Sequence, residues 1–159
     1  MRTRKYSGNG RDTMSNGEGI KRLVLLCTKR WGTKTLGVYA NRDKRGKPGD
    51  LSVHALWRAA DIRFDSDANR RQACDWFVQH NHDLKIDLIV DYAYRGPLRR
   101  AYGRVWRCDT QKWKNMKKGE TMGGGEPWAR FLHIELGYGY ITTNNGAAFE
   151  SVWRSLPRP

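Results

Sequence analysis

Cysteines are few in this sequence, and long apolar runs are missing. The three cysteines, Cys27, Cys74 and Cys108, are widely spaced and form no C-x-x-C pair, so neither a zinc knuckle nor a disulfide framework is expected. The longest apolar run covers residues 23–27 and is far shorter than the roughly 20 residues of a membrane-spanning helix. No apolar stretch of signal-peptide length follows the basic N-terminus, so no secretory signal is expected. We therefore expect buried free thiols in a chain without a membrane span.

Acidic residues are scarce relative to basic ones. The 159 residues include 30 Lys and Arg against 16 Asp and Glu, which gives a net charge of +14 at pH 7. So basic a protein attracts polyanions. Nucleic acid is one such partner and anionic cell-wall polymers are another, and the charge by itself does not choose between them. The length allows one domain with a sizeable core.

Composition separates a short N-terminal segment from the rest of the chain. Residues 1–19 are polar and rich in Gly, Asn and Ser, which predicts a flexible basic arm, and residues 20–159 are expected to form a single domain. Strands and helices are interspersed there without regular βαβ alternation, so we predict an α+β fold with a mainly antiparallel sheet and packed helices. Strands are predicted over residues 23–27, 35–40, 62–64, 85–92 and 101–107, and helices over residues 67–80, through Trp113 and Met116, and over 147–155.

The stretch of residues 51–64 contains three side chains that can do specific chemistry, Ser52, His54 and Asp61. On a continuous helix a His and an Asp seven positions apart are separated by roughly 10 Å along the axis, which is too far to share one metal ion. If the chain folds back on itself, facing positions on paired strands are only ~4.5–5.5 Å apart. The turn signal at residues 46–50 favours a strand or loop here, so a shared metal ion is possible; a core histidine and a solvated aspartate are the alternative.

The arrangement Ser52-x-His54-x-x-Trp57-x-Ala59-x-Asp61 resembles the S-x-H-x-x-G-x-A-x-D signature of the zinc D-Ala-D-Ala carboxypeptidase and peptidoglycan endopeptidase family. That family includes many bacteriophage endolysins, and hedgehog signalling domains share its fold. Four of the five motif positions match, and Trp57 stands where the family has glycine. The similarity runs in order from about residue 37 to residue 136, so the resemblance implies a hedgehog-type, D-Ala-D-Ala peptidase-like fold.

The resemblance also implies a zinc site and a substrate-binding group. His133 resembles the third zinc ligand of the family, which lies on a later strand, so the expected ligands are His54, Asp61 and His133. Two imidazoles and a carboxylate suit Zn²⁺ and leave a fourth position for water, whose pKa the metal lowers toward ~7. Arg42 lies in a segment that resembles the one carrying the family's substrate-binding arginine. Ser52 is grouped with Arg42 as a substrate-binding residue, in a supporting role beside the metal or as the cap of the turn.

A hydrolase of this type also needs a general base. In many members of the family an acidic residue stands three positions before the last zinc histidine, and this chain has Arg130 there. Glu126, in the glycine-rich stretch 118–127, is the first candidate. Glu135 is the second, because on a strand it projects to the same face as His133. A site that binds zinc and hydrolyses poorly is the third possibility.

The resemblance implies a zinc metallopeptidase, either a carboxypeptidase or an endopeptidase, that cuts a stem-peptide or cross-link amide in bacterial peptidoglycan. A bacteriophage lysin or virion-associated protein is expected, present in the host cytoplasm before lysis or carried in the virion, and acting on the cell wall. A nucleic-acid-binding basic protein is the alternative from another class, although no recognised nucleic-acid motif is present. A virion structural protein that keeps the peptidase fold with weak or no activity is a further alternative.

Overall fold

A six-stranded sheet in which every pairing is antiparallel lies at the centre of the fold. The computed structural model describes residues 3–8, 10–44, 46–97, 101–117, 120 and 130–159. The sheet has the order β1-β4-β8-β5-β6-β7, and β2 and β3 form a separate hairpin. The strands are β1 (Lys34–Gly37), β2 (Asp43–Lys44), β3 (Lys47–Leu51), β4 (Ala59–Arg63), β5 (Ile86–Asp91), β6 (Arg104–Arg107), β7 (Lys112–Asn115) and β8 (Phe131–Leu136).

Four α-helices and two 3₁₀ turns complete the described part of the chain. The helices are α1 (Glu18–Trp31), α2 (Asp67–Gln79), α3 (Ile141–Asn144) and α4 (Gly146–Ser155), and the 3₁₀ turns cover Arg11–Thr13 and Val53–Leu56. No helix among the described residues has both the length and the apolar character needed to cross a bilayer. The predicted α+β class, with a mainly antiparallel sheet and packed helices, is confirmed.

Alternation along the strands gives the sheet two different faces. Ile62 on β4 and Ile134 on β8 are fully buried in a core that includes Phe77 from α2 and Phe149 from α4. Because successive strand residues point to opposite faces, the odd-numbered residues of β8, among them His133, lie on the other face. The helices therefore cover one face of the sheet, and the polar residues of β4 and β8 are on the face away from them.

Residues 23–27 were expected to be a strand, and that prediction is wrong. They lie in the middle of α1. Ile20, Leu23, Cys27 and Trp31 are all buried, and their spacings of three and four residues place them on one face of a helix. Leu25 points away from that face and is exposed, so the apolar run contains both core and surface residues.

The short basic helix expected through Trp113 and Met116 is also not formed. Residues Lys112–Asn115 are strand β7, which pairs with β6 so that Trp113 is the partner of Trp106. The guanidinium of Arg104 lies 4.1 Å from the centre of the Trp113 ring. Cross-strand contacts of this kind stabilise a sheet, and here they outweigh the local preference of the segment for a helix. The predicted helices over 67–80 and 147–155 and the strand over 85–92 are confirmed as α2, α4 and β5.

The first 19 residues were expected to form a flexible arm, and their described part instead packs on the domain. Arg4 is buried and makes an ion pair of 2.9 Å with the buried Asp87. Tyr6 donates a hydrogen bond of 2.7 Å to Glu135. A buried carboxylate needs partners of this kind, so these two side chains hold the segment against the sheet although it has few apolar residues.

The cysteines agree with the expectation of free thiols. Cys27, Cys74 and Cys108 are all buried and unpaired by disulfides. Burial raises the pKa of all three thiols, to about 12 for Cys74 and Cys108. They are therefore protonated at neutral pH and act as small packing residues.

Candidate metal centre

Three elements bring the side chains of His54, Asp61 and His133 together. The 3₁₀ turn Val53–Leu56 carries His54, β4 carries Asp61 and β8 carries His133. Asp61 and His133 face each other as partners on the antiparallel β4–β8 pair. One ligand atom from each of the three residues lies within 4.8 Å of the other two. This group could hold a metal ion, as the sequence pattern predicted.

Asp61 lies between the two imidazole rings. Its Oδ2 atom is 3.3 Å from Nε2 of His54, and its Oδ1 atom is 3.0 Å from Nδ1 of His133. Each carboxylate oxygen thus faces one ring nitrogen. Both histidines are 5% exposed, and the Asp61 side chain is 25% exposed, so Asp61 is the member of the cluster that is most open to solvent.

The other nitrogen of each ring contacts a hydrogen-bond acceptor. Nδ1 of His54 lies 3.3 Å from the backbone oxygen of Val38, and Nε2 of His133 lies 3.1 Å from Oε1 of Glu135. A carbonyl or carboxylate oxygen can only accept, so each of these far nitrogens can donate a proton to its acceptor. A metal ion bound to the nitrogens that face Asp61 would replace any proton there and leave the far protons in place. Metal-binding histidines are usually held in this way by an acceptor behind the ring.

A capped turn presents His54 to the cluster. The Ser52 side chain accepts a hydrogen bond of 3.4 Å from the backbone N–H of His54, so Ser52 acts as the N-cap of the 3₁₀ turn. The turn ends at Trp57, which has a left-handed backbone with φ of 56°. Of the roles expected for Ser52, the structure places it in that of the cap.

Trp57 occupies the position where the resembled signature has glycine, and its backbone has the conformation that glycine adopts most readily. A left-handed conformation costs other residues roughly 1–3 kcal/mol. The Trp57 ring stacks on Tyr39 with ring centres 4.4 Å apart, and the Lys21 ammonium lies 4.6 Å from its ring centre. Stacking and cation–π contacts of this kind offset the backbone cost, which explains how tryptophan is accommodated at this left-handed position.

Electrostatics keep both carboxylates of the cluster ionised. Burial raises the pKa of Asp61, but hydrogen bonds with His133 and His54 outweigh it, and the pKa lies well below its usual range. Burial likewise raises the pKa of Glu135, and its hydrogen bonds with His133 and Tyr6 lower it below the ordinary value. For His133, burial lowers the pKa, and the hydrogen bonds with Asp61 and Glu135 raise it to about 9. The metal-free cluster thus places a positive ring between two anions.

Glu135 lies behind the His133 ring and not beside the ligand atoms. Its Oε1 contacts Nε2 of His133, and its Oε2 accepts from Tyr6. Arg58, which is 1% exposed, adds a positive charge that lowers the Glu135 pKa. These contacts suit a residue that orients His133 better than they suit a base that takes a proton from water.

The other sequence-predicted site residues are placed as follows. Arg42 is exposed, and its side chain makes no ion pair with any described residue. Arg130 points out of the cluster and donates a hydrogen bond of 3.0 Å to the backbone oxygen of Asp65. Glu126 lies outside the described residues. Tyr6 and Arg58 were not predicted, because Tyr6 lies in the segment expected to be flexible and nothing in the sequence links either residue to Glu135.

Replacing Glu135 by glutamine should weaken metal binding about 10- to 100-fold, because outer partners of ligating histidines contribute that much. A neutral amide accepts a weaker hydrogen bond from His133 and stabilises the ring less. The measurement is a competition titration against a chromophoric chelator. Tyr6→Phe should have a smaller effect in the same direction. As a control, Glu150→Gln removes a carboxylate that pairs with Arg154 on the surface; equal affinities for the Glu135 and Glu150 variants would contradict the orienting role.

No family model, curated protein or solved structure matches this chain. The proposed function therefore rests on the group that could hold a metal ion and on the sequence pattern around it.

Proposed function

We propose that this chain is a zinc-dependent peptidase that hydrolyses an amide in the stem peptides or cross-links of bacterial peptidoglycan. The observation that carries the proposal is the convergence of His54, Asp61 and His133, each histidine with its far nitrogen on an acceptor. The resemblance of residues 52–61 to the D-Ala-D-Ala carboxypeptidase and endopeptidase signature supplies the substrate class. It also suggests a bacteriophage lysin or virion-associated protein.

The types of donor atom favour zinc. Two ligands that each lie about 2.0–2.1 Å from a tetrahedral zinc ion are roughly 3.3–3.4 Å apart. Asp61 Oδ2 lies 3.3 Å from His54 and Asp61 Oδ1 lies 3.0 Å from His133, and one ligand atom of each residue lies within 4.8 Å of the other two, so small side-chain shifts would bring the three ligands to zinc spacing. Imidazole nitrogens favour zinc over magnesium or calcium, which take oxygen ligands. Two histidines and one carboxylate are also the ligands of several catalytic zinc sites, in which a fourth position is left for water.

Residues of this chain would orient the zinc ligands, accept the proton of the attacking water and bind the substrate. Bound at the three ligands, a zinc ion would polarise the scissile carbonyl and lower the pKa of water toward ~7. Glu135 holds the His133 ring in place, and Tyr6 holds Glu135. The proton of the attacking water needs an acceptor within hydrogen-bond reach, a role that we assign to Glu126. Arg42 is exposed and could pair with a substrate carboxylate through its planar fork of donors.

Metal analysis combined with peptidoglycan digestion tests this function. The purified protein should contain about one zinc ion per chain and should release new amine termini from purified peptidoglycan. A chelator should stop the release, and zinc should restore it where magnesium does not. Glu126→Gln should keep the zinc and lose most of the cleavage.

Two outcomes would contradict parts of the proposal. Zinc binding without cleavage would indicate a structural protein that keeps a metal site, which is the alternative suggested by Arg130 at the usual position of the acid. A chain without any zinc would contradict the site itself.

A further inference from the structure

A pocket lies on the helix side of the sheet, where the last turn of α1 meets the end of α4. Its volume is about 490 Å³, which is within the range of small-molecule sites. Four of its lining residues are basic, and none is acidic. The basic residues are Lys29, Arg30, Arg154 and Arg158, and Gln72 and Trp31 also contribute to the wall.

Arg30 is held in this pocket by three tryptophans. Its guanidinium carbon lies 4.4 Å from the ring centres of Trp76 and Trp153 and 5.5 Å from that of Trp31. Cation–π contacts of this kind attract the charge and fix its position. The Nη1 atom of Arg30 is buried and donates to no described residue. An unsatisfied buried donor costs free energy, so the described residues leave part of the hydrogen-bonding capacity of Arg30 unused.

The positive charges around the pocket are only partly neutralised. Arg154 forms an ion pair of 2.5 Å with Glu150, and the same carboxylate forms a second ion pair, of 2.7 Å, with Arg22. Among the described residues, Arg30 and Arg158 have no ion-pair partner. Burial lowers the pKa of Arg30, and the charge of Arg158 lowers it further. An anion in the pocket would relieve this repulsion.

We infer that this pocket binds a phosphodiester group of an anionic polymer. A guanidinium fork matches the geometry of phosphate oxygens, and several neighbouring cations suit a chain of repeated negative charges. Gln72 accepts a hydrogen bond of 2.9 Å from Trp31 through Oε1, which leaves its amide N–H groups to donate to a ligand. The net charge of +14 draws such a polymer to the protein. This inference does not depend on the metal centre, because the pocket is built from α1, α2 and the end of α4.

Titration of the full chain with three probes tests the inference. The probes are inorganic phosphate, poly(glycerol phosphate) and a single-stranded oligonucleotide. Binding is measured by calorimetry and by tryptophan fluorescence, which should respond because Arg30 lies among three tryptophans. Arg30→Gln should weaken polymer binding about tenfold or more, as expected when a charged hydrogen bond is lost. Arg30→Lys should recover little of the loss, because an ammonium lacks the planar fork. For Arg30→Gln and the oligonucleotide, the magnitude of the slope of log K against log salt should be smaller than in the wild type by about 0.7.

The matched control is Lys112→Gln, which removes one exposed positive charge on β7, outside the pocket. It should leave the affinity nearly unchanged. If Arg30→Gln does not fold, Arg158→Gln provides a second variant that leaves the tryptophan cluster intact. The polymer that binds more tightly indicates whether the natural ligand is a nucleic acid or a cell-wall polymer. Either result supports a phosphodiester site. Equal losses in the pocket and control variants, or no binding of either polymer at low salt, would overturn it.

Discussion

A His133→Ala variant should lose the metal ion and, with it, all cleavage of peptidoglycan. Only His54 and Asp61 would remain as ligands, one imidazole and one carboxylate. Loss of an outer partner alone weakens metal affinity about 10- to 100-fold, so loss of a ligand should weaken it by more than that. The variant also leaves Glu135 without the hydrogen bond from Nε2. Elemental analysis and the release of amine termini, measured on the same samples, check both effects.

Thermal unfolding provides an independent measurement of the same variant. A ligand that binds only the folded state raises its stability by mass action, so added zinc should raise the Tm of the wild-type chain and leave that of His133→Ala unchanged. His82→Ala is the control, because His82 is exposed in the turn after α2. It should behave like the wild type. Full metal content in His133→Ala would show that these residues do not form the metal centre.

The second large effect is expected at Asp91, a fully buried carboxylate at the end of β5. Asp91 accepts hydrogen bonds from Arg70 on α2 and, at 3.1 Å, from Arg104 on β6. Asp91→Asn would remove the described ion-pair partner of Arg104 and leave Arg70, which is 4% exposed, with a longer contact of 3.5 Å to the half-exposed Asp67. Breaking a buried ion pair by removing one partner costs about 3–5 kcal/mol, which for a chain of this size lowers the Tm by roughly 10 °C. Urea and thermal unfolding measure the loss.

The control for Asp91 is Asp109→Asn, which removes the partner of the half-exposed Arg107. Surface pairs contribute about 0–1 kcal/mol, so this variant should unfold close to the wild-type midpoint. Asp91 is the strand partner of Leu132 in the core, on the face of the sheet away from the metal centre. Folded Asp91→Asn should therefore bind metal normally. Similar stability losses for the two variants would contradict the role assigned to the buried network.

Sequence patterns that extend over a long segment predicted its secondary structure correctly, and patterns of only a few residues did not. The helices predicted over residues 67–80 and 147–155 are both confirmed, because each belongs to an element of ten or more residues with a consistent buried face. The apolar run at 23–27 is only five residues long and has no period of its own, so its place in α1 depends on Ile20 and Trp31 at its two sides. Lys112–Asn115 is only four residues long, and its pairing with β6 was not visible locally.

In the candidate site, too, the sequence pattern predicted the ligand residues but not their partners from distant parts of the chain. The seven-residue spacing of His54 and Asp61 and the later His133 led to a group that the structure brings together. Their spacing alone left a metal-free alternative open, and the resemblance supplied the third residue. The partners of the cluster were missed for a physical reason. Tyr6 meets Glu135 across 129 positions, and Arg4 meets Asp87 across 83, so composition within the first 19 residues could not indicate either contact.

The distance along the chain between Asp61 and His133 also has a consequence for synthesis on the ribosome. Translation adds about 5–20 residues per second, so the 72 positions that separate the two residues take roughly 4–14 seconds to make. During that interval a nascent chain has His54 and Asp61 but lacks the strand that carries the third ligand. Because β8 pairs with both β4 and β5, its arrival joins the two halves of the sheet. A metal ion that needs all three ligands would therefore bind only after translation of β8, when the sheet closes.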